Sequence, residues 1–493
     1  MVYCRIIQIP LQQLKKCRPA LLLAFLLSST AFSQTDNLLK NPGFENGLSA
    51  WSPNPADSTR LHVTEEAASM GKMGLRFGGD DSQDRLSLAS EQFPIQAGHI
   101  YRLTFWGRMG GAKPNLMAKL MFADGVGKAI LPVNMPGFWP VIEVKAGQAF
   151  NLYTAQATAP EGASTLSILL SFQSKSKDTT DVDDFALTEM TPEAAARTAL
   201  PPPIPIEPLL AEIKANPTRG KSSPKIVLKL DDFAISWAKG PLNQVHHHWL
   251  RIEKFVEDRK IKVGIGVVAK GLETASPEVL EWMKKMHDSG LVEFWLHGYD
   301  HAPWTGPDGK EMPEGRGRSV EEEIQRETLC QKIAGEKLGF HFASYGPTGS
   351  GPQPLIDEAF LQSLQNDPYM KDIMYPWPID EMGSQLMAKG KVTVLDRVFP
   401  VNIEAVVGHP RFDVFLQGYA HNRGRGYFIL QGHPPLWGWD DTEKNETYGE
   451  FLKIVDFLKE QGAAFVTPEE CAAAQNSTPP VAGSAPVIPE KTP

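Results

Sequence analysis

The sequence predicts a multidomain chain: a two-sheet β-sandwich followed by an α/β domain built as a (β/α) barrel. Three observations carry this. Between Asn37 and Met190, segments such as HIYRLTFWGRM (99–109) and STLSILLSFQS (164–174) alternate or cluster β-formers between Gly/Pro/Asn/Asp-rich turns, and few windows suit a long amphipathic helix. From Lys225 to Cys471 the pattern becomes strand then helix, which implies a parallel sheet. Between them, residues 191–224 hold eight prolines and no sustained apolar period, as a semi-rigid spacer would.

The elements of the second domain follow in order. Strands are expected at 225–230, 262–268, 292–296, 341–345, 371–374, 393–397, 426–431 and 463–467. Helices are expected at Gln244–Arg259, from Ser276-Pro277 to Gly290, from the capping box Ser319/Glu322 to about Lys337, and at 447–461. Seven or so strands in this span suggest a barrel that need not be complete.

The first 33 residues read differently. Lys15, Lys16 and Arg18 precede an apolar run from Ala20 to Leu27, and the small residues Ala31 and Ser33 follow, the order of a cleaved signal peptide. The run is shorter than the roughly 20 residues that span a bilayer, so no transmembrane anchor is expected after cleavage and the protein is expected to be secreted or periplasmic. The predicted organisation is a signal peptide (1–33), a β-sandwich (34–190), a Pro-rich linker (191–224), a barrel (225–471) and a disordered Pro-rich tail (472–493).

Removing 33 of 493 residues leaves 460, and with Arg5, Lys15, Lys16 and Arg18 gone the formal charge moves from −9 to −13. No run of five or more Lys/Arg occurs, which excludes a phosphate-backbone reader of nucleic acid. Eleven tryptophans and 24 phenylalanines suit sugar faces or apolar ligands. Only Cys330 and Cys471 remain, enough for one disulfide or for two buried thiols.

The chemistry gathers where the predicted strands end. Asp231 and Asp232 follow KIVLKL, His297 follows VEFWL and opens His297-Gly-Tyr-Asp-His301, Tyr345 ends its strand, and His433 follows GYFILQG. His297 and His301, four apart, would share one side of a helical turn and grip a divalent ion with a carboxylate as third ligand. Such an ion lowers the pKa of its water, the second carboxylate takes a proton, and a histidine opposite protonates the leaving group. This points to metal-assisted hydrolysis of an ester or amide. Any one pair is a weak signal; the combination at strand ends is the stronger one.

These residues resemble the polysaccharide deacetylases, the NodB-homology domains of carbohydrate esterase family 4. Leu230-Asp-Asp-Phe233, His297-Gly-Tyr-Asp-His301 and Leu430-Gln-Gly-His433 look like three of that family's ordered motifs. The resemblance implies a distorted, partly open (β/α) barrel that removes O- or N-linked acetyl groups from a polysaccharide. By position it implies Asp231 as base, His433 as acid, and Asp232, His297 and His301 as ligands of a metal, zinc by preference. Two departures stand out: Phe233 replaces the usual glycine, and Tyr345 stands where an arginine orients the base. The rival reading is a non-catalytic glycan-binding protein with a degenerate barrel; a third is a hydrolase of another amide or ester, such as peptidoglycan.

Tyr345, Trp437 and Trp439 are candidates for substrate contact, the two tryptophans as the floor of a sugar subsite, with Trp377 a further candidate wall. His246-His247-His248 falls on a predicted helix, where successive side chains diverge by about 100°, so the three are not expected to meet on one ion. His409 and His421 are expected to be structural or surface groups. At the front, Asn37-Leu-Leu-Lys-Asn-Pro-Gly-Phe-Glu45 and Asp181-Val-Asp-Asp-Phe-Ala-Leu187 resemble the opening and closing strands of jelly-roll carbohydrate-binding modules. That resemblance implies a structural calcium on Glu45 and Asp184. Trp51, Trp106 and Trp139 are the candidates for sugar stacking, with Trp106, inside a strong strand, read rather as core.

Overall fold

The computed structural model describes residues 37–476 apart from 56–57, 79–84, 111–115, 131–140, 145–146, 173–177, 191–202, 217–222, 234–243, 350–353, 377–380, 399–400 and 438–445. The expected signal peptide, most of the expected linker, the tail beyond Asn476, and Trp139, Trp377 and Trp439 lie outside the described residues.

The front unit is a jelly-roll-like sandwich of two antiparallel sheets. One runs in the order Trp51–Asn54, Leu86–Ser90, Thr165–Phe172, Leu116–Ala123, Ala129–Ile130. The other runs Gly147–Thr158, Ile100–Met109, Thr179–Met190, Gly74–Gly78, Leu61–Thr64. Alternate residues of Leu116–Ala123 and Leu86–Ser90 are buried, the period-two signature of strands with one face on a core. Phe44, Phe77, Phe105, Phe172 and Phe185 fill that core. Asn37 ties the ends together: its side chain donates to the Phe185 carbonyl and accepts from the Leu187 amide, at 2.8 and 3.0 Å.

Two expectations for this unit are corrected. Trp51 packs within the core against Phe44 and Phe185 and offers no face to sugar, while Trp106 is buried, as its place in a strong strand predicts. Glu45 and Asp184 do not turn to a common ion. The strand Thr179–Met190 bulges between Asp183 and Ala186, with Asp184 at φ 50°, and the bulge turns neighbouring carboxylates to different partners. Asp183 is buried and accepts from the Ser69 and Met70 amides at 2.7 and 3.0 Å. Asp184 meets His421 of the second unit at 2.8 Å, while Glu45 accepts from the amides of Lys72 and Met73.

The second unit is an open parallel half-barrel. Its strands are β1 (Lys225–Phe233), β2 (Val263–Val267), β3 (Val292–Leu296), β4 (Ser344–Tyr345), β5 (Asp372–Tyr375), β6 (Thr393–Asp396), β7 (Tyr427–Gly432) and β8 (Ala464–Phe465). They lie in the order β6-β5-β4-β3-β2-β1-β7, and β8 pairs with the start of β1. Among the described residues β6 and β7 do not pair, so the barrel does not close. Every residue of β2 and β3 is buried, as expected of strands covered on both faces.

Helices surround the sheet: α1 (Ile206–Ala215), α2 (His247–Arg259), α3 (Pro277–Asp288), α4 (Val320–Leu338), α5 (Glu358–Asn366), α6 (Glu381–Lys389), α7 (Phe412–His421), α8 (Glu446–Glu460) and α9 (Pro468–Asn476). Two of them correct the expected linker and tail. α1 lies inside the stretch read as spacer and buries Leu209 and Ile213 in the barrel core, with Arg423 donating to its Glu212 and Asn216 carbonyls. α9 carries residues 472–476, read as tail, into the packed structure. Cys330 and Cys471 are both free and buried.

The two units meet at the end of α7. The His421 ring stacks on Trp106 with centroids 3.8 Å apart. Next to it, Asn422 accepts from the Phe150 amide and donates to the Phe150 carbonyl at 3.0 and 3.1 Å, as a neighbouring strand would.

Candidate active site

β1 ends on two acids, and its backbone there leaves strand geometry. In a regular strand Asp231 and Asp232 would face opposite sides of the sheet. Asp232 instead has φ 75°, and the register of β1 against β2 slips between Leu230 and Phe233. A non-glycine residue held this way stores on the order of 1–3 kcal/mol, offset by its surroundings. The result is that both carboxylates lie within 4 Å of one atom, His297 Nε2, at 3.7 Å from Asp231 and 3.3 Å from Asp232.

His297 and His301 converge, but not on a helix as expected. They flank a turn in which Gly298 has φ 76° and His301 φ 56°. Glu314 holds this turn: its carboxylate accepts from the amides of Tyr299, Asp300 and His301 at 2.6, 3.2 and 2.8 Å, and Arg326 braces it at 2.7 Å. His301 Nε2 thereby comes to 3.4 Å from Asp232 Oδ1.

The ligating atoms of Asp232, His297 and His301 all lie within 4.8 Å of one another. Asp232 Oδ1 and His297 Nε2 are buried without a partner in hydrogen-bond geometry, a costly state unless something lies between them. His297 Nδ1 bonds the Gly346 carbonyl at 2.7 Å, which leaves its Nε2 lone pair facing the site. Two imidazoles and a carboxylate in this arrangement fit a divalent ion. Burial, then the neighbouring His297, hold the His301 ring below the usual imidazole range. Burial pushes the Asp232 carboxyl up, but contact with His297 and its charge outweigh this and leave it low.

Asp231 is fully buried and gripped from two sides. Lys229, two residues earlier on β1, reaches both carboxylate oxygens at 2.6 Å, and Gln431 Nε2 donates to Oδ2 at 2.5 Å. Burial opposes the charged carboxylate, but Lys229, His297 and His433 hold it well below the ordinary range. The Lys229 ammonium is lowered to about 8, burial outweighing the attraction of Asp231. Its Nζ sits 4.5 Å from the centre of the Trp295 ring. A side chain on Gly346 would meet Trp295 at 2.5 Å and Lys229 Cε at 2.9 Å, so glycine there leaves the lysine its place. A cation therefore reaches the base from β1. Removing either partner of such a buried pair typically costs about 3–5 kcal/mol.

His433 follows β7. Its Nδ1 contacts Glu404 at 2.6 Å, and its Nε2 lies 3.8 Å from Asp231. Burial lowers the imidazole pKa, but the Glu404 hydrogen bond and the charge of Asp231 outweigh this and raise it.

Two expected substrate contacts are corrected. Tyr345 is buried in the core against Phe360, ring centres 4.9 Å apart. Trp437 is also buried; its Nε1 donates to Glu404 at 2.5 Å and its ring packs on Phe451. It backs the histidine rather than flooring a subsite. The sequence reading missed Lys229, Gln431, Glu404 and Glu314. A signal existed for Lys229: a lysine in an apolar strand buried on both faces needs an acid, and Asp231 stands two residues away on the same face.

No protein-family model matches the chain, and no curated protein matches it in sequence. Solved structures do. The front unit is similar to a family 16 carbohydrate-binding module, at 17% identity and TM-score 0.25, over 31% of this chain and 100% of that one. The second is similar to a family 4 acetyl xylan esterase from Clostridium thermocellum in complex with a cobalt ion, at 14% identity and TM-score 0.29, over 51% of this chain and 92% of that one. It is also similar to a mutant of a CE4-family pseudoenzyme, at 16% identity and TM-score 0.31, over 52% and 68% of the two chains. All three likenesses concern the fold.

Proposed function

We propose that this chain is an exported, metal-dependent hydrolase that removes acetyl groups from a polysaccharide. The observation that carries the reading is one rim on which Asp232, His297 and His301 converge, Asp232 Oδ1 and His297 Nε2 being buried without a partner in hydrogen-bond geometry, while Asp231 and His433 flank them. Asp232, His297 and His301 would hold the ion, zinc by preference. When bound, it supplies Lewis acidity to the acyl carbonyl and to the attacking water. Asp231 accepts the proton as water oxygen bonds to the acyl carbon, and Lys229 and Gln431 keep its carboxylate oriented. The bond from the acyl carbon to the sugar oxygen or nitrogen then breaks, and protonated His433 delivers a proton from Nε2 to that leaving atom. Glu404, on Nδ1, keeps the ring in the tautomer this requires. Acetate and a free sugar hydroxyl or amine leave.

The lysine bears on the rival reading. Position 345 lacks the expected arginine, but Lys229 bonds the base and the charge of the buried Arg397 also acts on it, so the departure at Tyr345 is no evidence against catalysis.

The test is acetate release by the metal-loaded full chain from acetylated xylan, N-acetylglucosamine oligomers and peptidoglycan. At least one should release acetate, and Asp231→Asn should slow it by about 10²–10⁴-fold, the span of general-base contributions. No release from any of the three would favour a non-catalytic glycan-binding protein.

A further inference from the structure

The triple histidine at the start of α2 does what a regular helix would forbid. His246 is outside the helix, as its N-cap, with φ −63° and ψ 140°, and its side chain accepts from the His248 amide. That extended residue cancels the divergence expected of three consecutive helical positions. The three rings lie with centroids 4.2–4.5 Å apart, and their ligating nitrogens are all within 4.8 Å of one another.

His248 gives the cluster its anchor. Its relative exposure is 8%, whereas His246 and His247 are exposed. It hydrogen-bonds the Pro435 backbone, in the short 3₁₀ turn Pro434–Leu436 that follows His433. A metal-binding histidine usually has its second ring nitrogen fixed by such a carbonyl, which sets the tautomer and aims the other nitrogen.

We propose that His246, His247 and His248 form a second divalent-cation site, separate from Asp232/His297/His301, for an imidazole-preferring metal of the zinc class. Three neutral nitrogen donors without a carboxylate favour zinc, copper or nickel over magnesium or calcium. Two solvent-exposed donors leave the ion open to water, so this site binds more weakly than a fully enclosed one. Through the bond to Pro435, an ion here ties the start of α2 to the turn behind His433.

The test is zinc content of the full chain, purified without a polyhistidine tag, after equilibration with zinc and removal of excess. The wild type should hold about two ions, His246→Ala/His247→Ala about one, and His301→Ala about one. The double variant alters exposed side chains, so its fold should persist. A double variant that keeps the wild-type content overturns the proposal. A wild type with a single ion, lost in the double variant but kept in His301→Ala, supports this site and counts against the first.

Discussion

His433 is held by Glu404 on one ring nitrogen and faces Asp231 with the other, and both carboxylates favour its charged form over the opposing effect of burial. A general acid works only while protonated, so activity is present below its pKa and is lost as pH rises through it. The alkaline limb of kcat/KM should therefore lie above the ordinary imidazole range. Glu404→Gln removes one of the raising charges, so that limb should move to lower pH. A limb unmoved in the pH profile of the variant would remove His433 from the role of acid. Asp231, Asp232, His297 and His433 were legible because each follows an apolar run that could only be a buried strand. Glu404 and Glu314 were not, because they reach the site from segments whose pairing is set by tertiary contact.

At the scale of elements, turns rather than helices make the site. The four-residue spacing of His297 and His301 was legible, but its geometry comes from positive φ at Gly298 and His301 and from one carboxylate capturing three successive amides. A Cβ on Gly298 would lie 2.4 Å from Glu314 Oε2 and 2.8 Å from Thr348 Cγ2. Gly298→Ala should therefore displace Glu314 and destabilise the turn by about 1–3 kcal/mol, counting both strain and lost hydrogen bonds. Zinc titration should show affinity weakened by tenfold or more; unchanged affinity would mean that the turn does not position His301. The strands of the barrel read clearly, whereas α7 did not. Its residues from Phe415 to His421 are nearly all buried, so it lacks the polar stripe that marks an amphipathic helix.

Over the whole molecule, the stretch read as a spacer is partly structural. α1 packs on α7, and the end of α7 docks on the sandwich through His421 and Asn422. Proline content hid α1, because Pro205 and Pro208 fall at its start, where a helix accepts proline without losing a backbone bond. Trp106, read as core, is buried and serves as the floor for His421. Among the described residues, the tryptophans that suggested sugar by composition thus go largely to packing. The case for chemistry rests on the rim, and above all on the proposed ion between Asp232, His297 and His301. The most direct measurement is acetate release from the best substrate before and after chelation, and after zinc is restored, for wild type and His301→Ala. The stripped wild type should be inactive and recover with zinc, and the variant should stay at least about 10²-fold below it. A stripped protein that turns over undiminished, or a variant that recovers fully, would contradict the account.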